Sequence, residues 1–120
     1  MAQYRYTRQS KIDLESIIKF SAQHWGLKRS ETYMDGLQDL VSNLADFPDL
    51  GLDNSHYING LLSFPYQSHS IYYIKQPHGI DIIRILHNKM NPHRHLSWFR
   101  MGKAQVSTFQ ARCRIFTFQF

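Results

Sequence analysis

The spacing of apolar positions at the start of the chain predicts a short strand followed by a helix. The segment Tyr4-Arg5-Tyr6-Thr7-Arg8 alternates aromatic with polar side chains, which is typical of a strand with one buried face. Apolar positions then recur at helical spacing as far as Trp25, and Gly26 follows as a natural end for the helix. We predict that Ser10 is the N-cap of this helix, with Asp13 near the positive end of its dipole.

A second amphipathic helix is predicted from about Lys28 to Asp46, before Pro48 prevents its continuation. The positions that form its apolar stripe are Tyr33, Leu37, Leu40, Val41, Leu44 and Phe47. Two such helices joined at a glycine form a helical hairpin, whose apolar face must pack against another element. The strands that follow in the chain are the surface available for this packing.

Three strands are predicted after a loop rich in proline, glycine, aspartate and asparagine, at residues 61–64, 68–76 and 80–88. The last two are joined through Pro77-His78-Gly79. The element order is β-α-α-β-β-β, and the fold class is α+β. We expect a helical hairpin packed on one face of a small antiparallel sheet.

The last of these strands, Ile80-Asp81-Ile82-Ile83-Arg84-Ile85-Leu86-His87, is apolar on both faces and interrupted by one arginine. Such a β-branched run predicts a central strand buried on both sides. A charged side chain inside it requires a partner or a function. Arg84 is therefore either a recognition residue or the partner of a carboxylate such as that of Asp81 or Asp13.

Charge divides the chain into two predicted segments. Residues 1–96 contain ten Lys and Arg against nine Asp and Glu, whereas residues 97–120 contain four basic residues and no acid. We assign residues 1–96 to one domain and residues 97–120 to a basic, aromatic C-terminal extension, within which Phe116, Phe118 and Phe120 alternate as in a strand. The argument that a basic protein binds nucleic acid directly therefore depends mainly on the extension.

The sequence predicts a cytoplasmic protein without a cofactor. Cys113 is the single cysteine, no run of eighteen apolar residues exists, and the N-terminus lacks the apolar region of a signal peptide. His87, His93 and His95 suggest a metal cluster, but no cysteine or suitably spaced carboxylate completes a zinc site. We therefore expect neither a metal nor a membrane association.

Four short segments in this order resemble the ParE branch of the RelE/ParE toxin superfamily, over roughly residues 4–93. They are His24-Trp25-Gly26, Phe47-Pro48-Asp49-Leu50-Gly51, Phe64-Pro65 with Ser68-His69-x-Ile71-Tyr72-Tyr73, and Ile82-Ile83-Arg84-Ile85-Leu86-His87. The resemblance implies the toxin of a type II toxin–antitoxin system that traps the cleaved complex of DNA gyrase and carries out no chemistry itself. It also implies a ParD-like antitoxin as partner, with DNA contacted only through gyrase or the antitoxin.

Two other functions remain open. RelE-like relatives cut messenger RNA on the ribosome with basic side chains, but this chain has Leu61, Leu62, Ser63 and Ser70 at the positions where such residues tend to lie. An inactive relative that only binds an antitoxin is the third possibility. For contacts with partners the residues that we predict are Arg84, His87, Lys89, Trp25, Phe64 and Tyr66.

Overall fold

The computed structural model describes residues 2–90, Pro92 and Leu96. The chain forms, in order, strand β1 (Gln3–Tyr6), helices α1 (Arg8–Trp25) and α2 (Leu27–Asp46), a short 3-10 turn (Pro48–Leu50), and strands β2 (Leu52–Asp53), β3 (Leu61–Tyr66), β4 (His69–Gln76) and β5 (Gly79–His87). The predicted α+β class and the helical hairpin are confirmed. The two-residue strand β2 is an addition to the predicted order. The extension 97–120 lies outside the described residues.

The five strands form one sheet in the order β1-β5-β4-β3-β2. Strand β5 pairs antiparallel with β4 and parallel with β1, so the sheet is mixed rather than wholly antiparallel. A parallel neighbour is possible because the two helices between β1 and the later strands provide a long crossover connection. Gly79 allows close contact at this pairing, because a β-carbon there would collide with the backbone of Gln3.

Strand β5 has apolar layers on both of its faces, as its sequence predicts. Its residues 79–86 are all buried. On the helix side, the buried core includes Leu14, Tyr33, Leu37, Val41, Leu44, Ile71, Tyr73, Ile80, Ile82 and Ile85. On the other side a smaller cluster contains Ile58, Leu61, Tyr72, Ile83, Leu86 and Leu96. Both layers keep this central strand away from water.

The predicted apolar stripe of α2 is confirmed except at its end. Helix α2 ends at Asp46, and Phe47 adopts φ −131° and ψ 69°, which are not helical values. The Phe47 side chain is 64% exposed instead of packing with the stripe. The prediction was wrong there because Pro48 disfavours helical backbone at the residue before it.

Helix α1 begins three residues earlier than predicted, and its N-cap is Thr7 rather than Ser10. The Thr7 hydroxyl accepts a hydrogen bond from the Ser10 amide at 3.2 Å. Ser10 lies inside the first turn, where its own hydroxyl donates to the Thr7 carbonyl. Asp13 is therefore well inside the helix, and its carboxylate contacts β5 rather than the helix N-terminus.

The two helices pack closely where their facing side chains are small. Gly26, with φ 89°, both ends α1 and begins α2. Ser21 and Ser30 are buried on the facing sides, and their hydroxyls lie 2.7 Å apart. This contact ties the last turns of α1 to the first turn of α2.

Candidate partner-binding groove

A groove of about 240 Å³ lies between α1 and the ends of β4 and β5. The residues that line it are Asp13, Ser16, Ile17, Phe20, Ser21, Trp25, Ser68, His69, Ile85, His87 and Met90. Helix α1 supplies one wall at intervals of three or four residues, because side chains at that spacing share a helix face. The other wall comes from the β4–β5 strand ends and the residues that follow β5.

The rim of the groove carries large apolar side chains in contact with solvent. Phe20 is 53% exposed, Trp25 is 37% exposed and Met90 is 43% exposed. The Phe20 ring stacks on His24 with a centroid distance of 4.0 Å and meets Trp25 edge-on at 6.3 Å. Clustered exposed apolar groups of this kind mark surfaces that bind other molecules.

Asp13, at the floor of the groove, is held in a buried ion pair with Arg84. Arg84 donates from Nε to Asp13 Oδ2 at 2.7 Å and from Nη2 to Oδ1 at 2.9 Å, which is the bidentate geometry of a strong charged pair. The backbone amide of Ile85 also donates to Asp13 Oδ2, at 3.0 Å. Of the two explanations for Arg84, the structure shows the ion pair, with the side chain only 8% exposed.

This ion pair lies where β5 no longer has β1 as a neighbour, although it still pairs with β4 on its other edge. Strand β1 pairs with β5 only as far as Ile82, opposite Tyr6. Beyond that point side chains of α1 and its cap take over: the Thr7 hydroxyl donates to the Ile83 carbonyl at 3.0 Å, and Asp13 accepts from Ile85. Buried backbone groups need such partners, so Thr7 and Asp13 complete the edge of the strand.

Two histidines lie side by side on the strand wall, His69 at the start of β4 and His87 at the end of β5. Their rings are 5.2 Å apart. Burial, and secondarily the neighbouring His87, lowers the pKa of His69 to about 4, so His69 is neutral at pH 7. Its Nδ1 shares a hydrogen bond of 2.7 Å with the Tyr33 hydroxyl, whose own pKa is raised to about 12, mainly by burial.

Three of the six predicted partner-binding residues lie at the groove. Trp25 and His87 line it, and Lys89 is an exposed neighbour of His87, whose Nδ1 accepts from the Lys89 amide at 3.1 Å. The other three do not line the groove. Tyr66 packs on Tyr33 and donates to its carbonyl at 2.7 Å, Phe64 packs against the helix-side core, and Arg84 is paired with the lining residue Asp13.

Sequence reasoning missed Phe20, His69 and Met90 as groove residues. Phe20 lies away from the main apolar stripe of α1, and an apolar residue at such a position was the available signal. His69 was noticed only within the family segment, because a histidine at a strand start has no distinctive spacing. Met90 follows β5 in a turn, where periodicity carries no information.

Within residues 2–90, Pro92 and Leu96, no three histidine, cysteine or carboxylate side chains come together as metal ligands do. His93 and His95 of the suggested cluster lie outside that set. None of the helices described above is long and apolar enough to cross a membrane.

Comparison with known proteins gives consistent matches over the described domain. The family "ParE toxin of type II toxin-antitoxin system, parDE" matches residues 4–92. Toxin ParE1 of Caulobacter vibrioides is 32% identical over 96 residues, which are 80% of this chain and 99% of that protein. Toxin ParE1 of Mycobacterium tuberculosis is 27% identical over 96 residues, 79% of this chain and 98% of its own length.

A solved structure, described as the chromosomal ParDE TA system from P. aeruginosa, has the same fold. It superimposes with a TM-score of 0.62 at 18% sequence identity, covering 72% of this chain and 96% of that chain. The family match spans most of the chain, and the resemblance inferred from four short segments is confirmed. The chain belongs to the ParE toxin family of type II toxin–antitoxin systems.

Proposed function

We propose that this chain poisons DNA gyrase by trapping its cleaved DNA complex, without chemistry of its own, and that a ParD-like antitoxin neutralises it in the cytoplasm. Membership of the ParE family supports the proposal. The observation that carries the antitoxin part is the exposed apolar groove beside α1, with Phe20, Trp25 and Met90 on its rim.

The groove has the properties that an amphipathic peptide segment requires. Its walls are a helix face and two strand ends, and most of the surface that they expose in the groove is apolar. An amphipathic helix binds such a groove by burying apolar side chains at intervals of three or four residues. We infer that a segment of the antitoxin occupies the groove and covers the aromatic rim.

The charges at the groove support a binding role over RNA cleavage. Phosphodiester cleavage requires cationic groups directed at the phosphate and a group that exchanges protons. The Arg84 guanidinium is held by two hydrogen bonds to Asp13 and is largely buried. His69 is neutral at pH 7, so it is not protonated to act as a general acid, and its Nδ1 is already hydrogen-bonded to Tyr33.

We assign the six predicted residues to two roles. Trp25, His87 and Lys89 are proposed to contact a partner directly, because they line or border the groove. Arg84, Tyr66 and Phe64 are proposed to support the groove from within, since their described contacts are with α1, α2 and the core.

The test is a DNA cleavage assay with the purified chain, DNA gyrase, plasmid and ATP. After protease and detergent treatment, we expect linear plasmid to accumulate, and addition of the antitoxin to suppress it. A parallel reaction without gyrase is the control, because a gyrase poison leaves the plasmid intact there.

Full supercoiling without linear DNA would refute gyrase poisoning. Cleavage of messenger RNA in a cell-free translation reaction would then identify a ribosome-dependent endoribonuclease. No effect in either assay, with antitoxin binding retained, would identify the inactive relative.

A further inference from the structure

The chain has an apolar segment of its own beyond the domain that it shares with its relatives. The family match ends at residue 92, and 96 aligned residues make up 99% of the Caulobacter vibrioides toxin. Residues 97–120 lie beyond the part of the chain that the family matches. Their last positions, Arg114-Ile115-Phe116-Thr117-Phe118-Gln119-Phe120, place three phenylalanines at alternate residues, which puts them on one side of an extended backbone.

This segment starts close to the groove. Met90, three residues after β5, lines the groove and is 43% exposed. Leu96 is 1% exposed and packs in the cluster with Ile83 and Leu86, on the other face of the same end of β5. The chain therefore leaves the described domain at the strand end that forms one wall of the groove.

The segment is long enough to return to the groove. Phe116 lies 20 positions after Leu96 in the sequence, and a random-coil linker of about that length has a root-mean-square span of roughly 25 Å. The described domain measures 38 × 33 × 24 Å. A tethered segment of this span has an effective concentration in the millimolar range, so even weak apolar contacts keep it bound for much of the time.

We propose that residues 114–120 dock in the groove of their own chain, where Phe116, Phe118 and Phe120 cover Phe20, Trp25 and Met90. The extension then acts as an internal competitor that an incoming partner must displace. Only this competition rests on the proposed function, because docking itself depends on the groove and on the sequence of the extension.

Trp25 is the reporter for the test, because the chain has only two tryptophans, Trp25 and Trp98. In the full chain with Trp98→Phe, tryptophan fluorescence comes from Trp25 alone. We compare it with the same chain carrying Phe116→Ser, Phe118→Ser and Phe120→Ser. We expect these three changes to shift Trp25 emission to the red and to raise acrylamide quenching about twofold, because the groove loses its tethered cover.

A matched control changes the intervening positions, Ile115→Ser, Thr117→Ser and Gln119→Ser, and should leave quenching unchanged. A synthetic peptide of residues 112–120, added at millimolar concentration to the Phe-to-Ser chain, should restore protection of Trp25. Circular dichroism confirms that all the variants are equally folded.

Equal emission and quenching in the native-tail and Phe-to-Ser chains would overturn the proposal. Protection that disappears on dilution would also overturn it, because docking would then occur between two copies. Neither result involves gyrase or an antitoxin, so the test is independent of whether the proposed function is correct.

Discussion

Strand β5 carries a charged cluster towards each end, and the two clusters differ in burial and in what they stabilise. At its start, Asp81 contacts His78 at 2.9 Å and Arg5 at 3.8 Å. Towards its end, Arg84 pairs with Asp13 at 2.7 Å. The first is the base cluster (Arg5, His78, Asp81), and the second is the groove-floor pair (Asp13, Arg84).

The base cluster supplements a backbone ladder that is already present. Arg5 lies on β1 directly opposite Asp81, within the parallel pairing of β1 and β5. Its side chain remains 29% exposed and that of His78 remains 19% exposed, so both reach water. The charged groups at this end therefore add to a pair of strands whose backbone groups are already hydrogen-bonded to each other.

The groove-floor pair takes the place of backbone hydrogen bonds between strands that are absent here. Strand β1 does not continue beside β5 beyond Tyr6, and Asp13 accepts hydrogen bonds from both the Arg84 guanidinium and the Ile85 amide. Both side chains are nearly buried, at 8% and 11% exposure. Where β1 ends, one carboxylate therefore completes the hydrogen bonding of the β5 edge, and the groove lies beside it.

The largest expected effect is therefore at Asp13. Asp13→Ala removes the acceptor for the buried Arg84 guanidinium and for the Ile85 amide, and should lower the free energy of unfolding by about 3–5 kcal/mol. Urea denaturation measures this loss. Asp13→Asn, which keeps an acceptor for the Ile85 amide, should lose less. Equal stability of Asp13→Ala and the parent would contradict the role given to the pair.

Asp81→Ala should have a smaller effect, about 1–3 kcal/mol, because Arg5 and His78 can turn their polar groups towards water. The same denaturation series measures it. Trp25 fluorescence of the folded variant should remain that of the parent, since the base cluster lies at the opposite end of β5. A larger loss of stability than that of Asp13→Ala would contradict the greater contribution assigned to the groove-floor pair.

Thr7→Val tests the other side chain that completes the strand edge. The change removes the helix N-cap and the donor to the Ile83 carbonyl, and we expect it to cost about 1–2 kcal/mol. Thr7→Ser retains the hydroxyl and serves as the control. If Val and Ser variants unfold at the same urea concentration, the hydroxyl does not contribute as described.

Low pH should reduce the free energy of unfolding through His69, whose pKa is about 4 in the folded chain instead of the usual 6.5. Between these values the unfolded chain binds a proton that the folded chain does not, so stability falls as pH decreases from 6.5 to 4. After allowance for the partial exposure of His69, the loss at pH 5 is about 1 kcal/mol.

The measurement for His69 is the free energy of unfolding at pH 7 and at pH 5, in the parent and in His69→Gln. Glutamine can keep a hydrogen bond to Tyr33 but does not titrate. We expect the difference between the two pH values to be smaller in His69→Gln by that amount. The same pH dependence in both chains would exclude His69 as its source.

Periodicity predicted most of the fold because amphipathic helices and a doubly buried strand leave strong patterns. The ends of elements were less accessible. Thr7 and Ser10 are both good caps, and only the structure distinguishes them. The parallel pairing of β1 with β5 joins residues more than 70 positions apart, and periodicity does not identify strand partners.

The groove was only partly predictable, for a related reason. Arg84 was recognised as unusual and Asp13 as one of two candidate partners, because a charge in an apolar strand requires one. The gathering of Phe20, His69 and Met90 depends on how α1 crosses the strand ends, which no local pattern encodes. His87 was identified from its place at the end of an apolar strand, and Trp25 from its place at the end of the first helix.

Two exposed phenylalanines test whether the groove is the antitoxin site: Phe20 at the groove is 53% exposed, and Phe47 after α2 is 64% exposed. The affinity of Phe20→Ser and Phe47→Ser chains for the ParD-like antitoxin is measured by titration calorimetry. We predict that Phe20→Ser weakens binding about tenfold or more and that Phe47→Ser leaves it unchanged. Unchanged binding by Phe20→Ser, or an equal loss in both, would contradict the groove as the antitoxin site.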